Sequence, residues 1–195
     1  MTKKDQKIKL RAIARSLERK LSENYKTKSS QMIYRHLTAM SEYQAAQTVF
    51  CFVSTDREVD THALLTHALA QGKTLCVPRC LGEGKMALHQ ITDVAELQEG
   101  TYGILEPAET TPLIDIDQVD FAILPCLTCN HQGHRLGQGG GYYDRFLSQY
   151  RGGTVLLCRE QLIRDEIPLE PHDYPIPWVL SEAGLFEDGI RAPLG

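Results

Sequence analysis

The sequence predicts an α/β fold: an open, mainly parallel sheet sandwiched by helices in three layers, with an N-terminal helical segment over residues 1–46. Three features carry that expectation. Short, β-rich apolar runs recur at TVFCFVS (48–54), TLCVPR (74–79), VDFAILPC (119–126) and TVLLCR (154–159), as strands covered on both faces require. Segments of helical period alternate with them, which favours parallel pairing. No linker is long enough to separate two full domains, so the 195 residues are expected to form one.

The first helix is expected over 3–21, where Leu10, Ile13, Ala14, Leu17 and Leu21 recur at three- and four-residue steps. Lys7, Arg11 and Arg15 recur every four residues on another face, so their charged heads can converge. A second helix, over about 28–45, turns Met32, Ile33, Leu37 and Met40 inward. After the first strand, Asp60 or Thr61 can cap a helix over THALLTHALAQ that Gly72 closes. KMALHQI (85–91) follows a Gly-Glu-Gly turn and reads as an antiparallel edge strand. Residues 92–118 are rich in turn formers and read as loop. A polar, glycine-rich loop from Asn130 to Gly141 leads into a helix over Tyr142 to Gln149. Near the end, HDYPIPWVL is shaped by proline and then yields a short strand.

A net charge of −4 argues against non-specific nucleic-acid binding but leaves room for a local basic site. No apolar run reaches the ~20 residues a bilayer crossing needs. The N-terminus lacks the apolar stretch and small-residue cleavage site of a secretory signal. A cytoplasmic protein with no membrane partner is therefore expected.

Cysteines stand at 51, 76, 80, 126, 129 and 158; Cys51, Cys76, Cys126 and Cys158 lie in or beside apolar runs and fit reduced core thiols. Cys126-x-x-Cys129-x-His131-x-x-His134 crowds four possible zinc ligands into nine residues. Structural zinc sites draw on two separated pairs, so no zinc is expected there. The same Cys-x-x-Cys lacks the helix start that lowers a redox thiol's pKa. His36, His62, His67, His89 and His172 are scattered without a partner constellation.

Chemistry concentrates in Arg135-Leu136-Gly137-Gln138-Gly139-Gly140-Gly141-Tyr142-Tyr143-Asp144-Arg145. Its glycines permit positive φ and close approach of backbone to a ligand. Amide groups there can converge on an anion, aided by the positive end of the next helix. Arg135 and Arg145 add charge, and a guanidinium holds phosphate oxygens in bidentate fashion. Asp144 offers a hard oxygen for magnesium held between phosphates. The loop is no Walker motif, since no Gly-Lys-Ser/Thr ends it, and it lacks the third glycine of a dinucleotide fingerprint. By spacing alone, phosphate binding and a structural glycine turn both remain open. So do plain roles for neighbouring candidates: a solvated basic helix, a surface Glu58, tyrosines packing a helix start, and Asp144 at a helix dipole.

RLGQGGGYYDR, together with Lys7-x-x-Leu10-Arg11, Phe52-Val53-Ser54, Glu58-Val59-Asp60-Thr61, Val77-Pro78-Arg79 and Ile176-Pro177-Trp178-Val179-Leu180, resembles the 5-formyltetrahydrofolate cyclo-ligase family over nearly the whole chain. The resemblance implies that ATP and 5-formyltetrahydrofolate give 5,10-methenyltetrahydrofolate, ADP and phosphate, with Mg²⁺. It implies ATP contacts at Lys7, Ile8, Lys9, Leu10 and Arg11, and at Arg135, Leu136, Gly137, Gln138, Gly139, Gly140, Gly141, Tyr142 and Tyr143. Gln138 through Tyr142 would also face the folate, with Val53 and Glu58. Arg135 and Tyr143 are the expected catalytic pair, Asp144 the metal ligand, and Tyr102 an aromatic near the ligands. A monomer acting on a small reduced folate is expected. The chain departs from the family pattern at Cys129-Asn130, where many members have Phe-Asp. Two other readings compete: an isomerase or transferase of phosphorylated small molecules on a related fold, and a non-catalytic nucleotide- or folate-binding protein or zinc-stabilised interaction module.

Overall fold

The computed structural model describes residues 2–171 and 173–193; His172 and the side chain of Tyr102 lie outside the described residues. Eight strands form one sheet: β1 (Thr48–Cys51), β2 (Thr74–Gly82), β3 (Lys85–Ile91), β4 (Phe121–Pro125), β5 (Gly153–Leu157), β6 (Trp178–Ser181), β7 (Gly184–Glu187) and β8 (Ile190–Ala192). Their order is β8-β7-β6-β5-β4-β1-β2-β3. The five central strands β6, β5, β4, β1 and β2 pair in parallel, and β3, β7 and β8 join antiparallel at the edges.

Period-two alternation sorts the strand residues onto two helical layers. Val49, Cys51, Leu75, Val77, Phe121, Ile123, Val155 and Leu157 face the side that buries Ile33 and Leu37 of α2 (Glu23–Ala39) and Leu64 and Leu65 of α4 (His62–Ala70). Phe50, Cys76, Ala122, Leu124 and Leu156 face the other side, with Phe146 and Leu147 of α5 (Tyr142–Gln149). This is the expected sandwich. No helix of the described residues is long and apolar enough to cross a membrane.

Several boundaries and faces differ from expectation. Helix α1 runs Lys3–Glu18 and stops short of Leu21, and its buried residues are Lys7, Ala14 and Glu18 while Ile13 is 42% exposed. Its inward side is mixed, with Ala14 and Leu17 packed beside the buried Lys7 and Glu18, and the Thr2 capping box closes its start. The second helix divides into α2 and the short α3 (Ser41–Ala45), because the backbone of Met40 is extended between them. Met32 is 37% exposed, whereas Ile33, Leu37 and Met40 are buried as expected. Ahead of α4, Thr61 donates its hydroxyl to the Phe52 carbonyl, leaving Asp60 to accept from the His62 amide. The segment 92–118 carries three 3-10 turns and a small ribbon, Gln98–Glu99 with Leu105–Glu106. The C-terminal hairpin of β7 and β8 is an addition that the sequence pattern did not announce.

Candidate active site

Parallel strands that diverge in connection leave a crevice at their carboxyl ends, where the strand order reverses. Here β1 sits between β4 and β2, so the crevice opens after Cys51 and Pro125. A cavity of about 30 Å³ lies there, lined among others by Arg15, Glu58, Val59, Cys126, Gln138 and Cys158. A wider one, about 480 Å³, lies off the end of β2 beside Arg79, Gly100 and Glu106.

The turn after β1 is locked internally. The Ser54 amide donates to Thr61 Oγ1 at 3.0 Å, and the Thr61 amide to Ser54 Oγ at 2.9 Å. Val53 is buried at the start of this turn. The Glu58 carboxylate accepts from the amide and hydroxyl of Thr55, at 2.9 and 3.0 Å. Burial nevertheless pushes the Glu58 carboxyl upward, with those bonds and Arg159 pulling the other way. Arg159 is 3% exposed and spans the elements behind the turn. It donates to the carbonyls of Arg57 and Glu58 at 2.9 and 2.6 Å, and to the hydroxyls of Ser29 and Ser30. Sequence reasoning gave Arg159 no role; its signal was a lone cation just past the strand TVLLC.

The glycine segment is built from both ends. A tight turn over 130–134 is closed by the Asn130 carboxamide, whose Oδ1 accepts from the His134 amide at 3.0 Å. Asn130 thus serves the loop's geometry. Gly133 has φ 79°, and a Cβ there would lie 1.7 Å from the Ile176 carbonyl oxygen. A two-residue ribbon, Thr128–Cys129 with Arg135–Leu136, then delivers Arg135 beneath the glycines. Arg135 Nη1 lies 3.4 Å from the place a Cβ on Gly137 would take. Gly139 and Gly141 have φ of 104° and 73°, the left-handed region where only glycine is unstrained. Gly84, in the β2–β3 turn, approaches so closely that a Cβ on it would sit 2.5 Å from the Gly140 carbonyl.

Helix α1 closes the other side. Arg11 Nε donates to the Gly137 carbonyl at 2.9 Å, and Arg15 Nη2 to Gln138 Oε1 at 2.8 Å. Lys7, one turn earlier, bonds Glu170 and Asp173 at 2.7 Å each. The basic line Lys7–Arg11–Arg15 therefore does converge on the loop and its surroundings. Ile8 and Lys9 are exposed and lie off that line, and Leu10 is half-buried.

Arg135 is the hub. It pairs with Asp144 and stands over the Tyr143 ring at 5.8 Å. Its Nε is buried without a hydrogen-bond partner, a donor that buried polar groups rarely leave idle. Burial, with the Glu58 charge nearby, pushes the Tyr143 phenol well above its ordinary value, so it remains a hydrogen-bond donor at neutral pH. Tyr142 and Gly141 are half-buried at the start of α5, whose N-cap has no side-chain cap. Asp144, 38% exposed, belongs to no group of three potential metal ligands among the described residues.

A sequence profile of the 5-formyltetrahydrofolate cyclo-ligase family matches residues 3–182. A probable 5-formyltetrahydrofolate cyclo-ligase of Schizosaccharomyces pombe is 28% identical, covering 86% of this chain and 90% of that protein. The 5-formyltetrahydrofolate cyclo-ligase of Mus musculus is 27% identical, covering 89% and 92%. Among solved structures, the NMR structure of Aquifex aeolicus 5,10-methenyltetrahydrofolate synthetase superposes with a TM-score of 0.83 at 26% identity, covering 97% of this chain and 96% of that one. The Mycoplasma pneumoniae 5,10-methenyltetrahydrofolate synthetase shares the fold, with a TM-score of 0.73 at 18% identity over 90% and 98% of the two chains. On the match of nearly its whole length, the chain belongs to the 5-formyltetrahydrofolate cyclo-ligase family.

Proposed function

We propose that this protein uses ATP and Mg²⁺ to convert 5-formyltetrahydrofolate into 5,10-methenyltetrahydrofolate, acting as a cytoplasmic monomer. Beyond family membership, one observation carries the proposal: a buried guanidinium with an unpartnered Nε lies directly under a glycine turn braced by two more arginines. That arrangement suits an anion at the turn.

The formyl oxygen is a poor leaving group until it is phosphorylated. In the proposed reaction it attacks the γ-phosphorus of ATP, the bond from that phosphorus to the β-phosphate oxygen breaks, and ADP departs. The nitrogen at position 10 then attacks the formyl carbon and loses its proton, and phosphate leaves as the conjugated ring closes. The protein's part is to hold two ligands in line and to neutralise charge. Arg135 and the amides of 137–141 cradle the phosphoryl group, Lys7 and Arg11 bind along the polyphosphate, and the Tyr143 hydroxyl donates to it. Glu58, on its locked turn, accepts hydrogen bonds from N–H groups of the pterin, with Val53 at the edge. Asp144, half-exposed and paired with Arg135, is the carboxylate that would hold Mg²⁺, which favours one or two carboxylates together with substrate phosphates. When bound, the ion would neutralise charge between the phosphates.

Incubation with 5-formyltetrahydrofolate, Mg²⁺ and ATP should produce the methenyl absorbance, and omission of ATP should abolish it. Absorbance that is absent, or indifferent to ATP, contradicts the proposal.

Two variants separate binding from folding. Lys7→Ala removes a charge-assisted phosphate contact of ~1.5–3 kcal/mol, so the KM for ATP should rise about 10- to 100-fold with a smaller change in kcat. Steady-state kinetics at varied ATP check this; an unchanged KM would leave Lys7 as a structural partner of Glu170 and Asp173.

Glu58→Gln should lower kcat/KM for the folate about 10- to 100-fold by the same arithmetic, yet raise stability at neutral pH. The folded-state pKa of Glu58 lies above its unfolded value, so the folded protein binds the extra proton and wild type loses stability as pH rises through that window. Glutamine, which still accepts from Thr55, escapes that loss. The variant's Tm advantage should therefore appear at pH 7 and vanish below the ordinary glutamate value of about 4.3. Thermal melts at both pH values test the sign.

A further inference from the structure

We propose that Cys126, Cys129 and Cys158 form a three-thiolate site for Zn²⁺ whose fourth position opens on the small cavity beside Glu58. The argument for the site does not rest on the catalytic proposal, although its open position shares a cavity with Glu58 and Gln138.

The fold assembles these sulfurs from separate segments. In the β4–β5 register Pro125 pairs with Leu157, so the next residues, Cys126 and Cys158, emerge side by side at the carboxyl ends of neighbouring parallel strands. The chain then turns, and the Thr128–Cys129 ribbon brings Cys129 back against them. The three Sγ atoms all lie within 4.8 Å of one another. Zinc–sulfur bonds of about 2.3 Å in tetrahedral geometry place sulfurs about 3.8 Å apart, so small side-chain rotations close the set.

The histidines that made the sequence motif look like a zinc site are engaged elsewhere. His131 Nε2 lies 3.1 Å from Glu160 Oε1 and its ring packs on Phe186 at 4.0 Å, while His134 Nδ1 bonds the Asn130 carboxamide at 3.2 Å. The third sulfur comes from Cys158, 29 residues beyond Cys129, which removes the objection that all ligands crowd one short segment. The core cysteines Cys51 and Cys76 differ in one respect: neither joins a group of three potential ligands among the described residues, although their sulfurs, like those of Cys126 and Cys158, bond backbone carbonyls.

Chemistry favours a soft, thiophilic ion, and zinc accepts three protein ligands plus water when one position is open. Cys126, half-buried, and Cys158 both line the cavity of about 30 Å³, and a single water needs only about 10–15 Å³. Three thiolates and Zn²⁺ carry one net negative charge. Arg159, which follows Cys158 in the chain and lines the same cavity, sets a guanidinium beside that charge.

The test uses the full-length, reduced, chelator-stripped protein. Co²⁺ at one equivalent should give thiolate charge-transfer bands and tetrahedral ligand-field bands that Zn²⁺ then abolishes. X-ray absorption of the zinc-loaded wild type should count three sulfurs and one lighter atom. Cys126→Ser, at the rim, should weaken zinc affinity at least 100-fold in chelator competition, and Cys80→Ser should not change it. A cobalt spectrum without thiolate bands, a zinc shell of nitrogen and oxygen alone, or unchanged affinity in Cys126→Ser would overturn the proposal. The absorption measurement needs no variant, so a misfolded Cys126→Ser leaves the site testable.

Discussion

Arg135→Ala should lower kcat for methenyl formation by about 10²- to 10³-fold, the usual loss when a donor aimed at developing charge is removed. Among the described residues, Arg135 alone combines burial under the glycines, a pairing with Asp144 and a position over Tyr143. Truncation removes the central guanidinium and releases both neighbours, so Arg135→Lys, which restores charge without the planar fork, should recover only part of the rate. Stability should suffer less than activity, because Asp144 is 38% exposed and water can solvate it once unpaired. Rate measurements paired with thermal melts separate the two effects. Unimpaired turnover would remove Arg135 from the site, and loss of soluble protein would give it a structural part.

Gly133→Ala should produce the largest loss of stability of any alanine substitution in the loop. The residue has φ 79°, and its new Cβ would sit 1.7 Å from the Ile176 carbonyl oxygen and 2.8 Å from the Ile176 nitrogen. Both are backbone atoms, so no rotamer change relieves the contact. Ile176 also donates its amide to the Gly133 carbonyl at 3.0 Å, so any displacement breaks that bond. The left-handed backbone costs ~1–2 kcal/mol and overpacking another ~1–3 kcal/mol. A total of ~2–5 kcal/mol corresponds to a fall in Tm of roughly 5–20 °C for a chain of this size. Gly72→Ala is the control: its φ is 72°, but nothing lies within 4 Å of the added Cβ, so only the backbone cost applies. Equal Tm losses in the two variants would contradict the close approach at Ile176.

The strands were legible because central parallel strands are apolar on both faces, and TVLLC or FAILP admits little else. Helix α5 was read to its ends, since glycines precede it and its apolar residues repeat at helical spacing. Long-range pairing hid the remainder. The hairpin β7–β8 shows little apolar alternation, with Ile190 74% exposed, so its sequence carries no strand signal. Ile13 fits an inward helical stripe yet faces solvent, because α1 instead turns Arg11 and Arg15 toward the loop and Lys7 toward Glu170 and Asp173, so polar contacts override the apolar pattern. The glycine segment was visible since its chemistry is contiguous. Arg159 was not, because its partners at Arg57 and Glu58 lie a hundred residues away, and Cys158 met Cys126 and Cys129 only through strand register.

A crystal structure with a non-hydrolysable ATP analogue, Mg²⁺ and 5-formyltetrahydrofolate bears most directly on how the site works. The terminal phosphate should lie against the amides of 137–141 with Arg135 Nε donating to it, and the formyl oxygen should point at that phosphorus from the Glu58 side. A nucleotide bound elsewhere, with those amides turned to solvent and Arg135 still unpartnered, would contradict it.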